Sequence, residues 1–216
     1  MKAIDFANQW EADIINMSFG FPRYQPALEP VKRALENARS NRVIIFASSH
    51  NEGSSQSIPW PAIDRDLVIR ISSADCYAKR SDFSPLPRQR EVNISTLGEK
   101  INSTYAKQST VKHTTMKPLS GASFATPLAA CMAAIALYLI DNATLTRTLR
   151  EGAGSLRTIQ GMRQILIDNF AGERSQLTDG FSYISPIIFS GRAHTLDEMI
   201  TLINATLVNV RNLYSA

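Results

Sequence analysis

Cysteine is nearly absent: Cys76 and Cys131 are the only two in 216 residues. That excludes a disulfide framework and a cysteine-rich zinc site, so the expectation is no metal and no cofactor. Cys131 lies in an apolar stretch, where a thiol is expected to behave as a small hydrophobe. Histidine is scarce too, with His50, His113 and His194 far apart in the sequence. Charge of one sign is not concentrated: 23 Lys and Arg against 19 Asp and Glu leave +4, spread along the chain. No stretch interleaves aromatic and basic residues as a nucleic-acid platform does, so no nucleic-acid partner is expected. The opening MKAIDFANQWEAD reads as an acid-bearing amphipathic helix and not as a targeting segment, which gives a reduced, cytoplasmic setting as the expectation. The longest apolar run, from Pro127 to Ile140, has about fourteen residues, short of the roughly 18–20 that span a bilayer. It reads as a buried core helix, with no membrane partner.

Hydrophobic residues make up 44% and charged residues 19% of the chain, a balance that supports a folded core and excludes general disorder. Strand and helix signals alternate along it. Ala3–Glu11 is helical in pattern, Asp13–Ser18 is a short apolar strand, and 31–40 has helical periodicity. Val43–Ala47 is a continuous apolar strand, followed by Leu67–Ser72 and Val92–Thr96 as further strands. Later come a helical stretch around 155–170 and a final amphipathic helix over 195–214. Uninterrupted apolar strands separated by helices predict an α/β fold, a parallel sheet covered on both faces. Functional residues in such sheets collect in loops after the strand C-termini. Ser18-Phe19-Gly20 and Ser48-Ser49-His50-Asn51 fall in those loops.

The segment LSGASFATPLAACMAAIALYLI, 119–140, sets a serine at the start of the apolar helix. Gly121-Ala122 gives a tight backbone, and an early helical turn tolerates Pro127. At a helix start the amides and dipole favour negative charge, which suits a nucleophilic hydroxyl and its oxyanion. A serine in that place is far more often a plain N-cap, and Asn51 alone reads as a turn residue.

Three ordered motifs change that reading. LSGASFATPLAA resembles the nucleophile motif of the subtilisin-like serine proteases, ADIINMSFG that family's substrate-binding strand, and VIIFASSHNEG its strand bearing the oxyanion asparagine. The resemblance covers most of residues 3–140. It implies a three-layer subtilisin-like fold lacking the N-terminal part of its sheet, with 1–190 a partial peptidase domain and 191–216 a C-terminal helical extension. Ser123 would be the nucleophile and Asn51 the side-chain donor to the oxyanion. Ser18, Phe19 and Gly20 would be the edge on which an extended polypeptide substrate pairs, and Ala47, Ser48 and Ser49 the wall of the pocket for the side chain before the cut.

Two departures stand out. His50 occupies a position usually small in the family, and the expectation is an imidazole pointing to solvent. The family's order of Asp, then His, then Ser puts the first two ahead of the substrate-binding strand, hence upstream of Met1. None of the three histidines takes the base position. Losing the base costs on the order of 10⁶ in turnover, so the chain alone is expected to be a very poor protease. The missing N-terminal half is then an expected partner. The alternative is a non-catalytic remnant that binds extended peptides or another subunit.

Overall fold

The computed structural model describes residues 2–54, 57–105, 115–142, 154–171, 179–185 and 195–214. His113 and His194 lie outside them. Five parallel strands form one sheet in the order β1 (Ile14–Met17), β2 (Ile44–Ser48), β3 (Ile69–Ala74), β4 (Ile94–Leu97) and β7 (Ser182–Tyr183). Between β4 and β7 in sequence, β5 (Ile101–Tyr105) and β6 (Thr115–Leu119) pair as a separate antiparallel ribbon. The helices are α1 (Lys2–Gln9), α2 (Glu29–Ser40), α3 (Ala122–Asn142), α4 (Ile159–Phe170) and α5 (Leu196–Tyr214).

The apolar strands are continuous because both faces of the sheet are covered. Alternate residues go to opposite sides of a strand. Ile44 and Phe46 of β2, Ile69 and Ile71 of β3, and Ile94 of β4 therefore share a core with Ala125, Ala129, Met132, Ala133, Ala136 and Leu137 of α3. Val43, Ile45, Ala47 and Val68 turn the other way, onto Ala34, Leu35 and Ala38 of α2 and Ile4 of α1. The result is the expected three-layer arrangement. Phe46 is fully buried between the layers, a burial that stabilises the fold by about 3 kcal/mol.

α3 is longer than the apolar run suggested, because Ala122–Thr126 are helical as well. Ala122–Asp141 is thus long and apolar enough to cross a membrane by length and composition alone. In this fold its apolarity is used against β1, β2, β3 and β4. The side away from the sheet exposes Cys131, Ala134, Tyr138 and Asp141. Cys131 is therefore at the surface, not the buried small hydrophobe expected: the helical period carries it to the outer stripe.

The later helices close the same core. Met162, Ile165, Leu166 and Phe170 of α4 join the α3 cluster, as does Ile203 of α5. A buried hydrogen bond from Asn169 Nδ2 to Thr206 Oγ1, 3.0 Å, ties α5 to α4. Thr158 caps α4, its Oγ1 accepting the Gly161 N–H at 3.0 Å. Just before it, Arg157 reaches Asp13 ahead of β1 and Asp141 at the end of α3. At the opposite side from β7, β1 is the sheet edge, and among the described residues no strand pairs with its outer side.

Candidate active site

The candidate site forms where β1 and β2 end and α3 begins. Beyond Met17 the chain leaves β1 through Ser18-Phe19-Gly20. A Cβ on Gly20 would stand 3.0 Å from both Pro59 Cβ and the Trp60 carbonyl oxygen, so the close approach needs glycine. The contact is fastened by a pair of backbone hydrogen bonds between Phe21 and Trp60, at 2.7 and 2.8 Å. β2 runs on through Ser49, whose N–H donates to the Ile71 carbonyl at 2.9 Å, and then turns at His50-Asn51. Gly53 holds φ +78°, left-handed backbone that favours glycine, and donates to the Phe83 carbonyl at 2.8 Å.

That turn delivers Asn51 to the first residue of α3. The Asn51 Oδ1 accepts the Ala122 N–H at 2.7 Å, across 71 positions of sequence. First-turn amides of a helix lack an acceptor within the helix, and here a remote side chain supplies one. With Oδ1 so engaged, Nδ2 is the part of the carboxamide left to donate. Gly121 makes this seat possible, since a Cβ there would be 3.1 Å from Asn51 Nδ2.

Ser123 lies in that first turn, one residue beyond Ala122. Its Oγ–H donates to the Ser18 carbonyl at 3.1 Å, and the Ser18 Oγ–H donates back to the Ser123 carbonyl at 3.1 Å. Pro127 explains the second bond. In an α-helix the Ser123 carbonyl would accept the N–H of residue 127, but proline has none. The freed carbonyl takes the Ser18 hydroxyl instead. Asn16 Nδ2 in turn donates to Ser18 Oγ at 3.0 Å. The loop after β1 and the turn bearing Ser123 are therefore mutually anchored.

A cleft of about 230 Å³ opens over this junction. Ser18, Phe19, Gly20, Ser48, Ser49, Asn51 and Ser123 all line it, together with Pro22, His50, Glu52, Ser57 and Pro59. The exception among the sequence-predicted site residues is Ala47. It is fully buried on the α2 side of the sheet, because the pleat that turns Phe46 to α3 turns Ala47 away. Two larger grooves, of about 530 Å³ beside Trp60 and about 560 Å³ along α2, contain no serine, cysteine or histidine among their lining residues.

His50 does not point freely to solvent as expected. Its Nδ1 accepts the Glu52 N–H at 3.1 Å, and its Nε2 is buried, with no hydrogen-bond partner among the described residues. Short-range backbone capture thus holds the ring at the cleft. The Ser49 Oγ is also buried and unpaired. Among the described residues, no group of three or more His, Cys, Asp or Glu could hold a metal ion. The hydroxyl of Ser123 faces an amide carbonyl, which is no base.

Sequence reasoning did not single out Glu52, Ser57 and Pro59, nor the part Pro127 plays in freeing the Ser123 carbonyl. A proline four residues after a serine at a helix start is a readable signal for the latter.

Known proteins are similar to this chain in sequence and in fold. In sequence, the chain is 32% identical over 141 residues to the subtilisin-like protease het-Q2 of Podospora anserina, covering 64% of this chain and 37% of that one. It is 34% identical over 140 residues to subtilisin DY of Bacillus licheniformis, covering 63% and 47%. The chain thus spans less than half the length of these relatives. In fold it is similar to the prenylagaramide maturation protease PagA, with TM-score 0.64, 22% identity and 94% of this chain on 66% of that one. The PatG macrocyclase in complex with peptide matches with TM-score 0.62 and 18% identity, 94% of this chain on 55% of that one. A family model described as the subtilase family matches residues 1–182, and with the serine, the asparagine and the parallel sheet brought together as above, the chain belongs to that family of serine peptidases.

Proposed function

We propose that this chain carries the nucleophile-bearing part of a serine endopeptidase domain that cleaves extended polypeptides at Ser123. The observation that carries the reading is the Asn51 Oδ1 bond to the Ala122 N–H, which orients Nδ2 beside the turn holding the serine. In the proposed reaction Ser123 Oγ attacks the scissile carbonyl carbon and its proton passes to an imidazole base. The carbonyl oxygen becomes an oxyanion that accepts hydrogen bonds from Asn51 Nδ2 and the Ser123 N–H. The C–N bond then breaks, the proton goes to the leaving amine, and water hydrolyses the acyl ester on Ser123. Substrate backbone pairs along Ser18-Phe19-Gly20, a strand-addition mode that reads main chain.

The base and its carboxylate come from beyond these 216 residues in this proposal. Without them the Ser123 hydroxyl stays on the Ser18 carbonyl. Removing the base costs on the order of 10⁶ in turnover and removing the asparagine about 10²–10³, magnitudes measured on subtilisins and carried over to this relative.

The test is covalent labelling with a fluorophosphonate probe, read by mass spectrometry. The chain is compared alone and joined to an Asp- and His-bearing segment, encoded ahead of Met1 or taken from a relative. The expected result is an adduct on Ser123 in the joined form, little in the chain alone and none after Ser123→Ala. A folded joined form that takes no label overturns the reading. A second reading, a non-catalytic module that binds extended peptides, is favoured by the outer side of β1, which no strand pairs with among the described residues. It predicts peptide binding that survives Ser123→Ala and no turnover in any form.

A further inference from the structure

The net charge of +4 is scattered along the sequence, yet the fold gathers arginines at one place. Arg70 lies near the start of β3, and Arg65 and Arg88 lie in the loops leading into β3 and β4. All three converge on one carboxylate, Glu91: Arg70 Nη2 at 2.9 Å, Arg88 Nε at 3.4 Å and Arg65 Nε at 3.8 Å. Three guanidinium groups against one carboxylate leave a local surplus of positive charge. Burial pulls the Arg70 pKa below its ordinary value; Glu91 opposes this, while Arg88 and Arg65 add to it. The surplus faces water, since the Arg88 side chain is 44% and that of Arg65 32% exposed. Arg90 is exposed as well, and among the described residues it forms no ion pair. Because the strands are parallel, this end of the sheet is opposite to the cleft.

The loop that carries Arg88 and Arg90 is held in one shape. The Glu91 N–H donates to the Arg88 carbonyl at 3.3 Å and closes a turn. Its third residue, Arg90, has φ +59°, a left-handed place that favours glycine or asparagine. Buried Asn93 braces the turn, accepting the Arg88 N–H at 3.1 Å and donating to the Arg88 and Glu91 carbonyls at 3.0 Å each. Strain of this kind collects at functional positions. Leu86 and Val92, on either side of the turn in the sequence, are both exposed. Arginines with aliphatic neighbours on a braced loop have the make-up of a protein docking surface.

We propose that this face docks an acidic segment of a partner protein, at a site separate from the cleft. Carboxylates of the segment pair with Arg65, Arg88 and Arg90, whose planar forks match them. Leu86 and Val92 add apolar contact. The turn is fixed beforehand, so binding orders little on this side. A partner held here leaves the cleft open.

An NMR titration of the full ¹⁵N-labelled chain tests the proposal. The probes are two acetylated, amidated pentapeptides, Glu-Glu-Leu-Glu-Glu and Gln-Gln-Leu-Gln-Gln. The acidic peptide is expected to shift the amides of Arg65, Leu86, Arg88, Arg90 and Val92 and to leave those of Asn51 and Ser123 in place. Several exposed charge pairs together are expected to give it about tenfold tighter binding than its Gln counterpart. That advantage should vanish at about 1 M salt, where charges are screened within about 3 Å. Arg88→Gln combined with Arg90→Gly removes two charges, and the second change suits the left-handed backbone. The pair is expected to weaken the acidic peptide about fivefold or more. Lys32→Gln with Arg33→Gln removes the same charge from α2 and is expected to change its affinity by less than about twofold. Equal binding of the two peptides, or of neither, overturns the proposal. So does an acidic-peptide affinity that survives the loop variant or falls equally in the α2 variant. Tighter binding of an oligothymidylate at the same amides replaces the protein partner with a nucleic acid and overturns it too.

Discussion

At the amino ends of β3 and β4, Glu91 receives Arg70 Nη2 at 2.9 Å, with Arg88 at 3.4 Å and Arg65 at 3.8 Å. Asn93 completes the cluster, accepting from Arg70 Nη2 and the Arg88 N–H at 3.1 Å each and donating to the Arg88 and Glu91 carbonyls at 3.0 Å. Among the described residues, Arg70 Nη1 is left without a hydrogen bond in this cluster, and Ser95 Oγ and Thr96 Oγ1 farther along β4 are as well. At the carboxyl ends of β1 and β2 the hydrogen-bonding capacity is kept open instead, on His50, Ser49 and Asn51. The first end spends its polar groups on holding a loop to the sheet. The second leaves them unpaired among the described residues, the pattern expected of a functional site.

Removing Glu91 is the most severe way to break this contrast. Glu91→Ala would leave the guanidinium of Arg70, 7% exposed, without its carboxylate. Stripping one partner from such a pair costs about 3–5 kcal/mol, which urea denaturation would read as a lowered midpoint. The same cluster sets a pH dependence. Burial raises the Glu91 carboxyl pKa, but the Arg70 hydrogen bond and charge, with Arg88 and Arg65, outweigh it and hold the group below its ordinary value of 4.5. A depressed folded pKa contributes stability above the unfolded value and loses it as pH falls through the folded one. Stability should therefore decline with acidification below about pH 4.5, and Glu91→Ala should flatten that decline.

At the other end the effects are smaller and differ in sign. Asn51→Ala strips the Ala122 N–H of its acceptor and is expected to destabilise by about 1 kcal/mol, as loss of a helix cap does. Thermal denaturation of the variant checks this. Ser49→Ala removes a buried hydroxyl that has no hydrogen-bond partner among the described residues. It is expected to be neutral or to stabilise by up to about 1 kcal/mol, again by thermal denaturation. A clear destabilisation by Ser49→Ala would mean that the hydroxyl is satisfied within the fold, and the contrast between the two ends would fail.

Much of the fold was legible because burial on two faces leaves a strong mark. Runs such as Val43–Ala47 leave no polar position for an exposed face, so the parallel sheet and its cover could be read directly. The β5–β6 ribbon was not, since Ile101–Tyr105 and Thr115–Leu119 carry Asn, Ser, Thr and Lys and bury little. The cleft was readable through motif order, and seven of the eight residues expected there line it. Ala47 and His50 were misread for a shared reason. Which way a side chain turns depends on the pleat and on a local hydrogen bond, the Glu52 N–H on His50 Nδ1, and spacing along the chain encodes neither. The exposure of Cys131 and the length of α3 were missed because apolar composition alone does not say which stripe of a helix faces the sheet.

Pro127 has a consequence that reaches past its own helix. By denying the Ser123 carbonyl an intrahelical donor, it hands part of the support of that turn to Ser18, in the loop that leaves the edge strand. A serine braced only by its helix would be indifferent to whatever lies down beside that loop. This one is coupled to it, so whatever shifts Ser18 also shifts the Ser123 hydroxyl.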